Sequence, residues 1–377
     1  MTILIDVRLL SRGRLSGIEE YTRQIISHLL KRDTENHYKL FYNGVKKIPL
    51  PQEWLRKNAS VVDWKIPNKI FDFSSRFLNV PKLDKLTGAN VIFSPHFNIL
   101  SSSPKAKKVI TFHDLSFIHH PDFFLTKQKI WHWLQNYRKK AEKADKIIVN
   151  SNFTKADLMD TLKIPEEKIS VIYPGVNPEF KKITDFKALD NFKKQRKIDF
   201  PFMLYLGTLE PRKNIISIIK AFELLKKENG FEGLKLVIAG SPGWLYENIL
   251  AEAKNSKNAR EILFWGKVEN NDRIFLYNLA EAFVYPSFFE GFGFPPLEAQ
   301  ICGTPAIVSR RTSLTEIIGN TGIMIDPWKI SELKKAMEQV LTDKNLKNEL
   351  SAKGILNAKK FSWDSTALET LKVLNGS

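Results

Sequence analysis

The sequence has little cysteine and no long apolar run, and both absences exclude classes of protein. Its 377 residues include one cysteine, so neither a disulfide framework nor a cysteine-rich zinc site is expected. A membrane-spanning helix needs about 18 consecutive apolar residues, and the sequence contains no such run. The opening residues, MTILIDVRLL, carry an early aspartate and no small-residue cleavage site, so we expect no signal peptide.

Acidic residues are few relative to basic ones. The chain has 58 Lys+Arg and 41 Asp+Glu, which gives a net charge of +17. Residues 1–176 carry 29 basic and 17 acidic side chains (+12), and the remainder carries 29 and 24 (+5). Such a charge predicts a polyanionic partner, which can be nucleic acid, anionic lipid or a phosphorylated substrate.

One basic stretch, KQKIWHWLQNYRKK from Lys127 to Lys140, is also rich in aromatic residues. As a single helix it places Ile130, Leu134 and Tyr137 on one face. It can be an interfacial helix that rests on anionic lipid. The alternative is an ordinary helix that buries its apolar stripe in a domain core.

Short β-rich apolar runs alternate with longer helical patterns along the whole chain, which predicts an α/β fold with parallel sheets. With 377 residues we expect two domains. A segment rich in turn-forming residues, Tyr173–Pro178, marks the boundary, so the domains are predicted at 1–177 and 178–360. Ligands in such sheets bind outside the carboxyl ends of the strands, here in a cleft between the two domains.

The strongest local signal is FVYPSFFEGFGFPPLEAQIC, residues 283–302. It reads as a strand, a glycine loop and a helix opened by prolines. Glycines let the backbone approach a ligand closely, and a helix N-terminus favours phosphate. The carboxylates of Glu290 and Glu298 can accept hydrogen bonds from a sugar diol. The alternative is a plain α/β turn with two solvated glutamates.

EGFGFPPLEA within that segment resembles the E-x7-E motif of the retaining glycosyltransferases of family 4, which have the GT-B fold. Further stretches that resemble the family are SGIEEYTR (16–23), TFHDLSF (111–117), VNSNFTKADLMDTLKIPEEKISVIYPGVNPEF (149–180), YLGTLEPRKN (205–214) and FSWDSTALETL (361–371). The resemblance implies two Rossmann-like domains that face a central cleft. It also implies that the C-terminal helix, 361–377, crosses back to the N-terminal domain.

The resemblance assigns roles around a nucleotide-sugar donor. It implies that Glu298 holds the ribose hydroxyls and that Glu290 faces the hydroxyls of the donor sugar. Arg212 and Lys213 would neutralise the diphosphate, and Val268 would lie in the segment that reads the base. The remaining donor contacts would be Gly17 and the backbone N–H groups of Phe292, Gly293 and Phe294.

One position departs from the family pattern. Many members have arginine directly after the glycine that ends the strand at 203–207, whereas this chain has Thr208. We infer that Arg212 supplies the missing guanidinium. No Asp-x-Asp triplet is present, so a metal-bridged diphosphate is unsupported, and we expect neither a metal nor a cofactor.

The N-terminal half contributes a second group of candidates. By the resemblance, His113, at a predicted strand end, touches the donor sugar and helps to position the reacting centre. His96 would line the acceptor side, or it packs in the interior. Asp114 either orients His113 or starts the next turn.

The resemblance therefore implies a retaining hexosyltransferase that acts in the synthesis of surface polysaccharide. GDP-mannose is the favoured donor and a UDP-sugar is the alternative. A glycan or lipid-linked glycan is the expected acceptor, and the expected location is cytoplasmic or peripheral on the inner face of the membrane. Another GT-B enzyme, such as an epimerase, and a basic nucleic-acid-binding protein are the competing readings. No nucleic-acid-binding module is recognisable, so we expect no nucleic-acid partner.

Overall fold

The computed structural model describes residues 1–12, 17–43, 50–98 and 100–376. The chain forms two compact units. Unit 1 comprises Met1–His119, Thr126–Gly175 and Ser362–Ser377, and unit 2 comprises His120–Leu125 and Val176–Phe361.

Unit 1 is built on a parallel sheet with the strand order β3-β2-β1-β4-β5-β6-β7. Its strands are β1 (Thr2–Asp6), β2 (His37–Phe41), β3 (Ala59–Val62), β4 (Val91–Ser94), β5 (Lys107–Phe112), β6 (Lys146–Val149) and β7 (Ile169–Val171). The central strands are apolar on both faces, as expected for a parallel sheet that helices cover on both sides.

Helices connect the strands of unit 1. They are α1 (Gly17–Arg32), α2 (Asn68–Phe73), α3 (Leu83–Thr87), α4 (Ser116–His119), α5 (Thr126–Gln135), α6 (Tyr137–Lys143) and α7 (Asn152–Leu162). Helix α2 continues directly into a π-helical turn, Ser74–Leu78.

Unit 2 repeats the design with the strand order β10-β9-β8-β11-β12-β13, again all parallel. Its strands are β8 (Phe202–Leu206), β9 (Lys235–Ala239), β10 (Ile262–Gly266), β11 (Ala282–Tyr285), β12 (Ala306–Ser309) and β13 (Ile323–Ile325). Its helices are α8 (Phe186–Arg196), α9 (Ile215–Leu225), α10 (Glu247–Asn255), α11 (Asn270–Leu279), α12 (Phe294–Ile301), α13 (Leu314–Ile317), α14 (Ile330–Thr342) and α15 (Lys344–Ala358).

The last helix, α16 (Trp363–Asn375), returns to unit 1 and packs on α1, as the sequence predicts. Its Asp364 forms ion pairs with His28 and Arg32, both on α1. A Cβ atom at Gly175 would lie 2.1 Å from the backbone nitrogen of Trp363, so only glycine allows the helix to approach this closely.

The segment His120–Leu125 groups with unit 2, although the sequence analysis places it inside the N-terminal domain. Aromatic packing explains the difference. Phe123 stacks on Phe288 with ring centroids 5.7 Å apart, and Phe124 stacks on Trp244 at the same separation.

The basic, aromatic stretch Lys127–Lys140 is not one continuous helix, which corrects the sequence expectation. Asn136 adopts a left-handed conformation (φ 50°) and separates α5 from α6. The apolar face is therefore divided: Tyr137 packs on Phe117, whereas the side chain of Ile130 is 53% exposed. Within the described ranges, no helix combines the length and apolar character required to span a bilayer.

Candidate functional site

The candidate site of unit 2 lies where the strand order of its sheet reverses. Strands β8 and β11 are neighbours there, and their connections leave in opposite directions. A crevice forms at such a point outside the carboxyl ends of the strands, and ligands bind in it. The loop after β8 carries Arg212 and Lys213, and the loop after β11 carries Glu290. The fold therefore brings these three sequence-predicted residues together.

Glu290 is the centre of a buried ionic cluster. Lys213 Nζ lies 2.6 Å from Glu290 Oε1, and Arg212 Nη1 lies 3.3 Å from Glu290 Oε2. Lys213 Nζ also donates a hydrogen bond to the Tyr285 hydroxyl at 2.5 Å, and Ser287 Oγ donates to Glu290 Oε1 at 2.6 Å. All three charged side chains are largely buried, so each depends on its partners to offset its lost hydration.

The cluster keeps Glu290 ionised. Burial alone would raise the pKa of Glu290, but the charges of Arg212 and Lys213 outweigh it and lower the pKa to about 2. Burial and the nearby Arg212 lower the pKa of Lys213, against the attraction of Glu290. Arg212 is also paired with a second carboxylate, Glu210, at 2.9 Å. The cluster thus contains two cations and two carboxylates.

The glycine loop after Glu290 presents backbone donors. Helix α12 begins at Phe294, and Gly293 precedes it with φ 105°. A Cβ atom at Gly293 would lie 2.6 Å from Leu314 Cδ2, so the position requires glycine. The amides of Gly291, Phe292 and Gly293 donate no hydrogen bond within the part of the chain that the structure describes. They remain available for an anion or a sugar oxygen.

Glu298 belongs to a second polar group, on α12. Arg273 Nη2 forms an ion pair with Glu298 Oε2, and the Tyr277 hydroxyl donates to the same oxygen at 2.9 Å. Glu298 Oε1 accepts no hydrogen bond from any described residue. One carboxylate oxygen is therefore fixed by α11, and the other is left for a ligand hydroxyl.

The sequence analysis missed Arg273 and Tyr277, the two partners of Glu298. Helical spacing could have paired them with each other, because residues four apart share one face of a helix. Nothing in the sequence connects them with Glu298, since the contact between α11 and α12 arises from the tertiary fold.

Two further predicted residues lie at carboxyl ends of strands in the same sheet. Val268 is half-buried in the loop between β10 and α11. Thr208 follows β8, and its carbonyl accepts a hydrogen bond from the Tyr205 hydroxyl at 3.0 Å. Thr208 therefore contributes backbone to the loop, while Arg212, four residues later, provides the guanidinium beside Glu290.

His113 lies in unit 1, directly after β5, and is buried. Its Nε2 is 2.8 Å from the carbonyl oxygen of Pro95, and its Nδ1 is 2.8 Å from the side-chain nitrogen Nδ2 of Asn150. A carbonyl can only accept, so Nε2 carries the proton and Nδ1 accepts from Asn150. Burial lowers the pKa of His113 to about 4 despite the opposing effects of Pro95 and Asp114. The ring is neutral at pH 7 and both of its nitrogens are occupied.

The other candidates of unit 1 have varied surroundings. Asp114 accepts hydrogen bonds from the Ser116 amide (3.0 Å) and hydroxyl (2.7 Å), so it starts the turn into α4. His96 is buried after β4. Gly17 is the first residue of α1, and Ser16, which the SGIEEYTR match includes, lies outside the described residues.

The buried, neutral state of His113 predicts that acid destabilises unit 1. The pKa of His113 is about 4 in the folded protein and 6.5 in an unfolded chain, so the unfolded chain binds the proton more tightly. The contribution of neutral His113 to stability is fully present above pH 6.5 and is lost as the pH falls towards 4. This loss lowers the free energy of unfolding by at most about 3 kcal/mol. Urea unfolding at several pH values should show a smaller loss for His113→Gln than for wild type.

The matched control for this measurement is His37→Gln, which removes an exposed histidine from the same unit. Its pH profile should match that of wild type. Equal slopes for wild type and His113→Gln across this window would contradict the assignment.

Comparison with known proteins bears on the same elements. Residues 15–180 match the model of Glycosyltransferase Family 4, and residues 187–357 match that of Glycosyl transferases group 1. O-antigen chain mannosyltransferase B of Escherichia coli is 29% identical over 265 residues, which are 70% of this chain and 69% of that protein. The serotype-specific mannosyltransferase WbdA of Escherichia coli is 34% identical over 265 residues, but the match spans only 32% of its length.

Solved structures agree on the fold. Sucrose-phosphate synthase from Thermosynechococcus elongatus superposes with a TM-score of 0.78 at 19% identity, covering 100% of this chain and 98% of that one. HepE of Anabaena, solved with UDP and glucose, gives 0.76 at 17% identity and covers 100% of both chains. Both domain models and the parallel sheets of the two units point the same way, and the chain belongs to the family 4, group 1 glycosyltransferases.

Proposed function

We propose that this glycosyltransferase moves a mannosyl residue from GDP-mannose to a glycan or lipid-linked glycan acceptor in the synthesis of surface polysaccharide. The ionic cluster of Glu290, Arg212 and Lys213 beside the donors of the α12 N-terminus is the observation that carries the proposal. The named activity of the two relatives, mannosyl transfer, supports the choice of sugar.

In this proposal the cluster stabilises the leaving group. As the glycosidic bond breaks, negative charge grows on the departing nucleoside diphosphate. Lys213 and Arg212 lie fixed before the substrate binds, so they stabilise that charge without reorganising in the transition state. The amides of Gly291, Phe292 and Gly293 add dipoles of the same sign.

We assign retention of configuration to a front-face substitution. Glu290 is held by Lys213, Arg212 and Ser287 at both of its oxygens, which suits hydroxyl recognition better than nucleophilic attack. The departing phosphate oxygen would accept the proton of the acceptor hydroxyl. His113 holds its proton against a carbonyl and acts by position rather than by proton transfer.

Replacing Lys213 by Met should lower kcat about 100-fold, because the cation nearest Glu290 no longer balances the leaving group. Loss of donor binding should be smaller, since Arg212 and the α12 amides remain. Steady-state kinetics with GDP-mannose would measure both quantities, and the melting temperature would verify folding.

Lys226→Met is the matched control. The side chain of Lys226 is only 4% exposed and pairs with Glu261 at 3.2 Å on the same unit, so its removal also takes a buried cation from an ion pair. This variant should keep the wild-type kcat. A Lys213→Met enzyme with the wild-type kcat would contradict the proposed mechanism.

The donor is testable by thermal shift. GDP-mannose at 100 times its Kd should stabilise the protein by about 2.7 kcal/mol, more than UDP-sugars at the same concentration. Glu298→Gln should raise the Kd of the donor about tenfold and so reduce the thermal shift, because an uncharged amide oxygen is a weaker acceptor for the ribose hydroxyl than the carboxylate Oε1. Glu281→Gln, which removes a partner of Lys347, should leave it unchanged.

The outcomes separate the donors. A larger shift with a UDP-sugar would assign the alternative donor. No shift with any nucleotide sugar would reject the proposed function.

We further propose that unit 1 places the enzyme on the inner face of the membrane through α5. The Trp133 side chain is 71% exposed and that of Ile130 is 53% exposed, while Lys127 and Lys129 are exposed on the same helix. An exposed aromatic and aliphatic pair among cations is the composition of a helix that rests on anionic lipid.

Sedimentation with phosphatidylglycerol vesicles tests this contact. Trp133→Ser should reduce the bound fraction severalfold, because the indole would insert at the interface. Trp328→Ser removes a side chain of similar exposure (63%) from unit 2 and should have no effect. Equal binding of wild type and Trp133→Ser to the vesicles would show that α5 is ordinary solvated surface and does not contact the membrane.

A further inference from the structure

A pocket of about 750 Å³ opens on one face of the sheet of unit 1. Its floor includes Ile92 of β4 and Ile110 of β5. Its walls are the π-helical turn Ser74–Leu78 on one side and α6 on the other. None of the residues assigned above to donor binding or catalysis lines it.

The charged side chains around the pocket are all positive. The cationic residues that line it are Arg76, Lys82, Lys108, Lys139, Lys140 and Lys143. Among the described residues, no carboxylate lines it. The acidic side chains that act on Lys140 are Asp6 and Asp72, and Arg8 forms an ion pair with each at 2.9 Å.

Lys140, one of these cations, has an uncharged side-chain partner. Its Nζ donates to the Gln135 side-chain oxygen at 3.1 Å. Burial, together with the positive charges of Arg8 and Arg76, lowers its pKa well below the ordinary value, against the attraction of Asp72 and Asp6. A negative ligand in the pocket would favour the charged form of Lys140, because an opposite charge nearby raises the pKa of a lysine.

Two buried hydroxyls add polar character to the wall of the pocket. Ser75 is 7% exposed and Ser94 is 2% exposed, and both residues line the pocket. Neither hydroxyl oxygen has a hydrogen-bond partner among the described residues. Buried polar atoms are nearly always paired in native proteins, so these two hydroxyls add uncompensated polarity to the wall of the cationic pocket.

The rim of the same pocket is apolar and exposed. Phe77 lines the pocket yet is 60% exposed, and its ring lies 4.9 Å from that of Phe73, which is also 60% exposed. Leu78 is 64% exposed beside them. A ligand with a hydrocarbon chain would cover these side chains while its charged group stays among the lysines.

We propose that this pocket binds an amphiphile whose phosphate or diphosphate lies among the six cations and whose hydrocarbon chain lies on Phe73, Phe77 and Leu78. The assignment of this amphiphile as the lipid carrier of the acceptor glycan rests on the proposed function. The pocket is distinct from the donor site, because it is built wholly from unit 1.

Isothermal titration of the full-length Lys213→Met protein tests the pocket with the donor cluster weakened. Farnesyl diphosphate, inorganic pyrophosphate and farnesol are the three probes. Farnesyl diphosphate should bind at least about tenfold more tightly than pyrophosphate, and farnesol should not bind measurably. Lys139→Gln/Lys143→Gln, on the exposed side of α6, should weaken both phosphorylated probes about tenfold.

Two further variants locate the binding. Lys31→Gln/Lys57→Gln removes the same charge from exposed positions of unit 1 outside the pocket and should change neither affinity. Phe77→Ser should weaken farnesyl diphosphate while it leaves the affinity for pyrophosphate unchanged.

Equal affinity of the Lys139→Gln/Lys143→Gln protein and its parent for farnesyl diphosphate would overturn the proposal. Pyrophosphate binding as tightly as farnesyl diphosphate, with no effect of Phe77→Ser, would overturn the amphiphile. If the wild-type protein binds a nucleotide sugar but not farnesyl diphosphate, the pocket proposal alone is rejected. If it binds farnesyl diphosphate but no nucleotide sugar, only the proposed donor chemistry is rejected.

Discussion

The buried carboxylate of Glu290 is the constraint on which the rest of the unit 2 site depends. Removing a carboxylate from water costs several kcal/mol, and only fixed partners offset that cost. Lys213, Arg212 and Ser287 provide them. Because the cations follow β8 and the carboxylate follows β11, their pairing joins the two loops at the point where the strand order reverses. The Arg212 carbonyl, which accepts from the Phe288 amide at 2.9 Å, continues this joint along the backbone.

The same pairing limits how the site can attract a diphosphate. Glu290 and Glu210 balance Arg212 and Lys213, so the cluster carries no net charge before a ligand arrives. The amides of Gly291, Phe292 and Gly293 have no carboxylate partner within the described residues, so they can attract the diphosphate before the reaction. The cations contribute most when the leaving group gains charge, since they are already oriented and already desolvated. Such a site favours the transition state over the bound donor.

Sequence patterns predicted the central strands and the glycine loop because each has a local cause. The buried strands β8, β9, β11 and β12 are short apolar runs, and Gly293 with the following prolines marks the start of α12. The edge strands β3, β7 and β13 carry a weaker local signal. These edge strands are only three or four residues long and partly exposed, so each is too short for its pattern to identify a strand.

The hydrogen-bond and ion-pair partners of the site residues could not be predicted from sequence patterns, for a different reason. Asn150 meets His113 because β6 lies beside β5, and Arg273 meets Glu298 because α11 lies beside α12. The break at Asn136 also escaped detection, because a left-handed asparagine is compatible with an otherwise helical sequence. Tertiary packing, rather than propensity, selects these pairs and this break.

The distribution of charge acquires a physical meaning when the two units are considered separately. The +17 charge predicts a polyanionic partner, and Arg212 and Lys213 are the cations that would meet the donor diphosphate. Those cations are neutralised by carboxylates within unit 2, so they account for none of the excess. Unit 1 instead gathers six cations around a pocket that no carboxylate lines within the described residues. Like charges gathered at a concave surface raise its positive potential, and a phosphorylated ligand in the proposed pocket would supply the counter-charge there rather than at the donor loop.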